Sequence, residues 1–172
     1  TTRTAGFATV SQAALTESSR LLGCVLMFIG GSPGGTAGGI KTTTAGMLVL
    51  TVLCVLRNRR DTECFDRKID TESIKSGVTI ALITFLVLFT GIMALTVFEP
   101  GVDVIDLMYE AASAMGTVGL SADLTPSLTR ASHIVLMLMM YIGRIGPLTM
   151  ALVFAGKSDK SSQFRELPEK RV

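Results

Sequence analysis

Hydrophobic and polar positions divide the chain into long apolar runs separated by polar connections. Gly77 to Phe98 runs for 22 residues without a charge, enough helix to cross a bilayer core of about 30 Å. His133 to Ala155 is nearly as apolar and carries a single charged residue, Arg144. A third region, Leu21 to Leu56, is apolar at both ends and glycine-rich in the middle. Each predicts a membrane-embedded segment. Between the first two, Asp103 reads as a helix N-cap and Val104 to Met115 as a helix too short to span. It breaks at Gly116-Thr117-Val118-Gly119-Leu120. A re-entrant half-helix fits this, because irregular backbone at membrane depth is tolerated only where protein or a wet cavity surrounds it.

Charge orients these segments. Six basic residues lie between Arg57 and Lys75, and five follow Ala155, whereas Glu99 to Ser132 holds only Arg130 against five acids. The positive-inside rule places the 57–76 loop and the 156–172 tail in the cytoplasm and the Glu99–Ser132 connection outside. Composition agrees: 48% of the 172 residues are hydrophobic and 17% charged, too apolar for an ordinary soluble domain. Cys24, Cys54 and Cys64 are odd in number and scattered, which suits inert packing better than disulfides or zinc. With His133 the single histidine, no histidine-rich metal site can form.

The chain also repeats itself. Shifted by 113 residues, Thr4–Gly30 matches Thr117–Gly143 without gaps, with identities at Thr4/Thr117, Gly6/Gly119, Leu15/Leu128, Thr16/Thr129, Ser19/Ser132, Met27/Met140, Ile29/Ile142 and Gly30/Gly143. The expected organisation is therefore the end of one unit (1–56, a filter strand and a broken helix), then the cytoplasmic loop. A whole unit follows at 77–155: a span, a half-helix at 104–115, a turn at 116–120 and a second span at 133–155. On this reading the chain is a fragment of a larger protein, and 11–56 is one crossing interrupted by Gly30–Gly39.

A half-helix followed by Thr-x-Gly is a physical recipe for a cation filter. The helix aims its partially negative C-terminal end at the passage, and glycine lets backbone carbonyls replace the ion's hydration shell. Thr4, Ala5, Gly6 and Phe7 form one candidate arm, and Thr117, Val118, Gly119 and Leu120 the other. The glycine-rich break invites two enzyme readings, and both fail. Gly34 to Thr42 resembles a phosphate-binding loop, but Ile40 separates Gly39 from Lys41 and apolar segments flank it. Gly30-Gly31-Ser32-Pro33-Gly34 fits a serine-nucleophile pattern. Yet His133 sits about 18 Å away in depth if both segments are helical, against the roughly 3 Å that general-base catalysis requires. What remains is an unwound stretch at mid-membrane, a structural kink or, in the reading preferred, a movable plug made of Gly31, Ser32, Pro33, Gly34, Gly35, Gly38, Gly39 and Lys41. The repeat sets Arg144 opposite Gly31. A mid-bilayer arginine is expensive, so it should face the interior, as a permeation gate or as a structural partner of an acid such as Glu110.

Four motifs, in order, resemble the Trk/Ktr/HKT potassium transporter superfamily: Thr2–Phe7, Gly30–Thr44, Glu110–Leu120 and Gly143–Thr149, the last resembling the KtrB branch most. The resemblance implies an all-α integral membrane fold of four M1–P–M2, potassium-channel-like pore repeats around one pore. This chain would hold the end of the third repeat and all of the fourth. It further implies filter glycines at Gly6 and Gly119, and a gate below them built from the broken third-repeat helix and Arg144. Potassium, with sodium as the alternative, is then substrate, and no cofactor is expected. The implied partners are membrane lipid, a second copy in a homodimer and a cytosolic RCK ring of the KtrA/TrkA kind that carries the nucleotide; nucleic acid is not among them. Hydropathy alone leaves a membrane scaffold for such a cytosolic partner open as an alternative.

Overall fold

The structure, a computed structural model, describes residues 4–32, 38–57, 63–64 and 67–146. Among these residues five α-helices carry the fold: α1 (Glu17–Phe28), α2 (Thr42–Leu56), α3 (Thr71–Phe98), α4 (Val104–Met115) and α5 (Arg130–Ile145). Among the described residues the only strands are the short β1 (Glu63–Cys64) and β2 (Arg67–Lys68), which pair antiparallel between α2 and α3. The fold is therefore helical, as the hydropathy pattern requires.

α3 is long and apolar enough to cross a membrane, 28 residues with a mean hydropathy of 2.5 in its most apolar window. It begins six residues before the apolar run, because Asp70 at the N-cap and Glu72 in the first turn suit a helix N-terminus. Polar groups inside it satisfy themselves: Thr79, Thr84, Thr90 and Thr96 each donate to the carbonyl four residues back, as an apolar surround demands. Large side chains including Leu82, Phe85, Leu86 and Phe89 lie exposed along it, a surface suited to lipid or further protein rather than water.

α4 occupies the centre. It packs against α1 on one side and against α3 and α5 on the other, and Tyr109 to Met115 are all buried. One core cluster joins Leu95, Leu107, Ala111, Met115, Leu136 and Met139 across α3, α4 and α5. A second joins Cys24, Met27, Tyr109, Ala112 and Val118 across the α1–α4 seam. α4 has the extent expected from sequence. Asp103 does stand at its N-cap, but its carboxylate makes no capping bond.

The 113-residue offset reappears in the backbone. Single 3-10 turns occur at Gln12–Ala14 and Thr125–Ser127. Thr16 and Thr129 cap α1 and α5 in the same way, each hydroxyl accepting from the N–H of the serine three residues on. The two helices end differently. α1 stops at Phe28, where the glycine-rich break begins.

α5 starts three residues before the expected His133, at its threonine cap, and runs to Ile145. Arg144, expected at the middle of a 133–155 span, stands in the last turn of α5 among the described residues. Gly146 (φ 93°) ends the helix ahead of Pro147, a stop signal that a hydropathy average overlooks. Residues 147–172 lie outside the described residues, and with them the rest of that expected span and the basic tail.

Candidate functional site

The two Thr-x-Gly arms lie side by side. Thr4 and Thr117 both have φ 51°, while Gly6 and Gly119 have φ 70° and 83°. Left-handed backbone at alternate residues turns successive carbonyls toward the same side, which an ordinary strand does not. Glycine adopts it freely, whereas a β-branched threonine is strained there. The arms touch: a Cβ added at Gly6 would stand 2.9 Å from the Val118 carbonyl oxygen, and one at Gly119 would stand 3.9 Å from the Gly6 Cα.

Why α4 leads into such an arm is a matter of hydrogen bonds. The N–H of Gly116 donates to Ala112 O (2.8 Å), Thr117 to Ala114 O (3.1 Å) and Val118 to Ser113 O (2.9 Å). This is a Schellman closure with threonine in the left-handed position that glycine usually takes. It uses the carbonyls of Ala112, Ser113 and Ala114 and turns the chain out of the helix. On the far side, Glu110 holds the returning chain. Its buried carboxylate accepts from Ser121 Oγ, from the Ala122 N–H (3.1 Å) and from Thr125 Oγ1 (3.0 Å). Glu110 is thus a positioning residue for the arm's return, a role the sequence reading missed in treating it only as a partner for Arg144. The available signal was an acid within an otherwise apolar half-helix.

Two spaces flank the arms. A cleft of about 430 Å³ is lined by Glu110, Ser113, Thr117, Gly119, Ser121 and Arg144 among others. A second recess of about 350 Å³ is lined by Gly6, Ser11, Gln12, Gly119, Ser121 and Asp123 among others. Gly119, Leu120 and Ser121 border both. Within the arms Val118 and Leu120 bury their side chains, whereas Ala5 and Phe7 are exposed.

The glycine-rich break approaches from the Met115 side. Its ends are stitched together: the Ile40 N–H donates to Phe28 O (3.1 Å) and the Thr42 N–H to Gly31 O (3.3 Å), with Ile29 and Ile40 in a parallel bridge. Ile29 and Ile40 therefore run in the same direction, and the chain continues into α2 with Lys41 exposed at the N-cap. Gly38 reaches the arm, its N–H donating to Thr117 Oγ1 at 3.0 Å, which gives the strained threonine a use. Gly31, Ser32, Gly38 and Gly39 are described; Pro33, Gly34 and Gly35 lie outside the described residues. Gly143 lies directly against the Met115 carbonyl with no room for a side chain, which brings the end of α5, and so Arg144, up to the C-terminal end of α4. Arm, break and arginine therefore meet at one place.

Among the described residues no group of three or more His, Cys, Asp or Glu side chains could hold a metal ion. Cys24 is buried and Cys54 half-buried, both as free thiols; Cys64 is described in its backbone alone.

Comparison with known proteins gives the lineage. Residues 1–164 match the family described as TrkH, cation transport protein. The chain is 38% identical over 162 residues to the Ktr system potassium uptake protein B of Bacillus subtilis, covering 94% of this chain and 36% of that one. It is 34% identical to the potassium/sodium uptake protein NtpJ of Enterococcus hirae, covering 100% of this chain and 39% of the relative. It is 33% identical to the Ktr system potassium uptake protein D of Bacillus subtilis, covering 99% and 37%. The chain thus spans less than two fifths of the length of each of these relatives. With a family match over nearly its whole length, this chain belongs to the TrkH family of cation transport proteins, a family of membrane transporters and not of enzymes.

Proposed function

We propose that this segment forms part of the pore of a transporter that takes up monovalent cations, potassium first, through a filter of backbone carbonyls. The single observation that carries the reading is the pair of apposed Thr-x-Gly arms, with φ of 51° and 70° in one and 51° and 83° in the other. Two strained, matching backbones in contact are hard to explain as incidental turns. They are the geometry in which carbonyl oxygens replace hydration water. The names of the relatives, potassium uptake and potassium/sodium uptake proteins, support the choice of ion class. α3, α4 with its arm, and α5 act as the M1, P and M2 parts of one repeat. α1 and α2 act as the broken second span of the repeat before it.

In this reading Arg144 and the break from Gly31 to Gly39 form the gate. A fixed positive charge in a low-dielectric passage repels an incoming cation, and a loop touching Thr117 fills the remaining space. The 57–76 loop and the tail face the cytoplasm, where a nucleotide-binding regulatory ring docks, and the complete subunit pairs as a homodimer in the cell membrane. The test is side-by-side potassium and sodium uptake by proteoliposomes containing the complete transporter. Gly119→Ser is expected to lower the potassium-to-sodium ratio without loss of membrane insertion. Gly6→Ser, which also meets the Val118 carbonyl, is expected to lower it further. An unchanged ratio in both well-inserted variants overturns the filter assignment.

A further inference from the structure

Across the α1–α4 seam runs an ion pair that the filter reading does not use. Arg20, near the start of α1, donates from Nη1 to Oδ1 of Asp106, in the first turn of α4. The residues are 86 apart in sequence, and both side chains are largely withdrawn from solvent, at 16% and 24% exposed. Arg20 Nε is buried and has no hydrogen-bond partner among the described residues. The position suits the acid, since the N-terminal end of a helix favours a carboxylate.

Two further polar contacts join the segment that leads into α1 to α4 and to the chain after its arm. Tyr109 Oη donates to Gln12 Oε1 at 2.8 Å, and Ser11 Oγ donates to Asp123 Oδ2 at 2.5 Å. The Tyr109 ring lies against Gly23, where a Cβ would come within 3.1 Å of Cε2.

The seam does not need these contacts for burial. Cys24, Met27, Tyr109 and Ala112 already give it an apolar core, and a half-buried charge pair is a poor source of stability compared with apolar side chains of similar size. What it supplies is register. α4 is a short rigid rod held in the middle, where Tyr109 meets Gly23. Asp106 lies about 4.5 Å along the axis on one side of that contact, and Met115, which leads into the arm, about 9 Å on the other. A tilt about that contact moves the Met115 end about twice as far as the Asp106 end. The arm tolerates little movement, because Gly6 and Val118 are already in contact.

We propose that Arg20 and Asp106 are a positioning pair. By locking α4 against α1, they set the spacing of the two Thr-x-Gly arms and with it the preference among monovalent cations. The proposal rests on the filter reading and deepens it.

The experiment uses the complete transporter in proteoliposomes, measuring potassium and sodium uptake in parallel and the KM for potassium, per amount of folded protein. Arg20→Gln and Asp106→Asn are each expected to lower the potassium-to-sodium ratio about five-fold, the size of a typical coupling between contacting residues. The KM should rise while maximal potassium flux is kept. The exchanged pair, Arg20→Asp with Asp106→Arg, is expected to recover most of the ratio, which a general loss of stability would not allow. Wild-type ratio and KM in the single variants overturn the proposal, as does an exchanged pair no better than either single. If a single variant fails to assemble, Arg20→Lys and Asp106→Glu keep both charges and change only their reach. A shifted ratio in these supports the pair, and a wild-type ratio overturns it. Gly119→Ser in the same assay separates the two ideas: if it leaves the ratio unchanged, the filter reading itself fails. If it lowers the ratio while Arg20→Gln does not, only the positioning pair fails.

Discussion

Glu110 offers the sharpest test of how the arm is held. Its carboxylate accepts three hydrogen bonds from the chain returning after Gly119, in a residue that is only 5% exposed. In Glu110→Ala the three donors differ in their fate. Ser121 Oγ and Thr125 Oγ1 already lie 2.9 Å apart, so the two hydroxyls can satisfy one another. The Ala122 N–H is buried and fixed by the backbone, and it loses its acceptor outright, which costs about 1–3 kcal/mol. Adding the charge-assisted part of the lost bonds gives an expected destabilisation of about 2–4 kcal/mol.

Glu110→Gln keeps one oxygen for Ser121 and Ala122 and offers its amide to the Thr125 hydroxyl, so it should cost less than about 1 kcal/mol. The assay is thermal unfolding of the complete transporter in detergent, followed by the loss of its monodisperse elution peak, together with the potassium-to-sodium ratio of each variant. The expected order is wild type, then Glu110→Gln close behind, then Glu110→Ala well below, with a lowered ratio in the last. An alanine variant that melts with the wild type and keeps its ratio refutes the latch.

Three further outcomes follow from the fold and from the proposed function. Arg144→Ala, or removal of Gly31 to Gly39, is expected to raise rubidium uptake into proteoliposomes in the absence of an activating partner; lower or unchanged flux in well-folded protein counts against the gate. Glu99 has its pKa held below the ordinary glutamate value, chiefly by the Thr129 N–H, then by the Ser132 and Thr129 hydroxyls, so its contribution to stability is complete above the unfolded pKa and vanishes as pH falls through the lowered folded one. Acid unfolding curves should therefore separate wild type from Glu99→Gln at neutral pH and converge at low pH, and a gap that persists in acid excludes this origin. Truncation after Ala155 is expected to weaken co-purification with the cytosolic regulatory ring, a result contradicted if the complex survives removal of the tail together with neutralisation of the basic residues in the 57–76 loop.

Much of the scaffold was legible in the residues themselves, because local physics decides it. The stop signal after Met115 and the charge-free run in α3 act over a few residues, and each can be read without knowing what lies beside it. The 113-residue repeat added that Thr4–Phe7 and Thr117–Leu120 are equivalent, though not that they touch. Hydropathy placed the start of α5 three residues late for a related reason. An average over apolar residues does not see a threonine cap.

Only the tertiary structure decided the rest. It brought Arg20 to Asp106, Gly38 to Thr117 and Ser11 to Asp123, pairs 86, 79 and 112 residues apart. It buried α4 on both sides and exposed α3, although both read as apolar. It also gave Glu110 a role as the latch of the returning arm. Periodicity reports that a residue avoids water; it carries no information about which surface replaces the water. That is settled by how rigid helices pack, and here the packing of α4 between α1, α3 and α5 fixes where the strained arms stand.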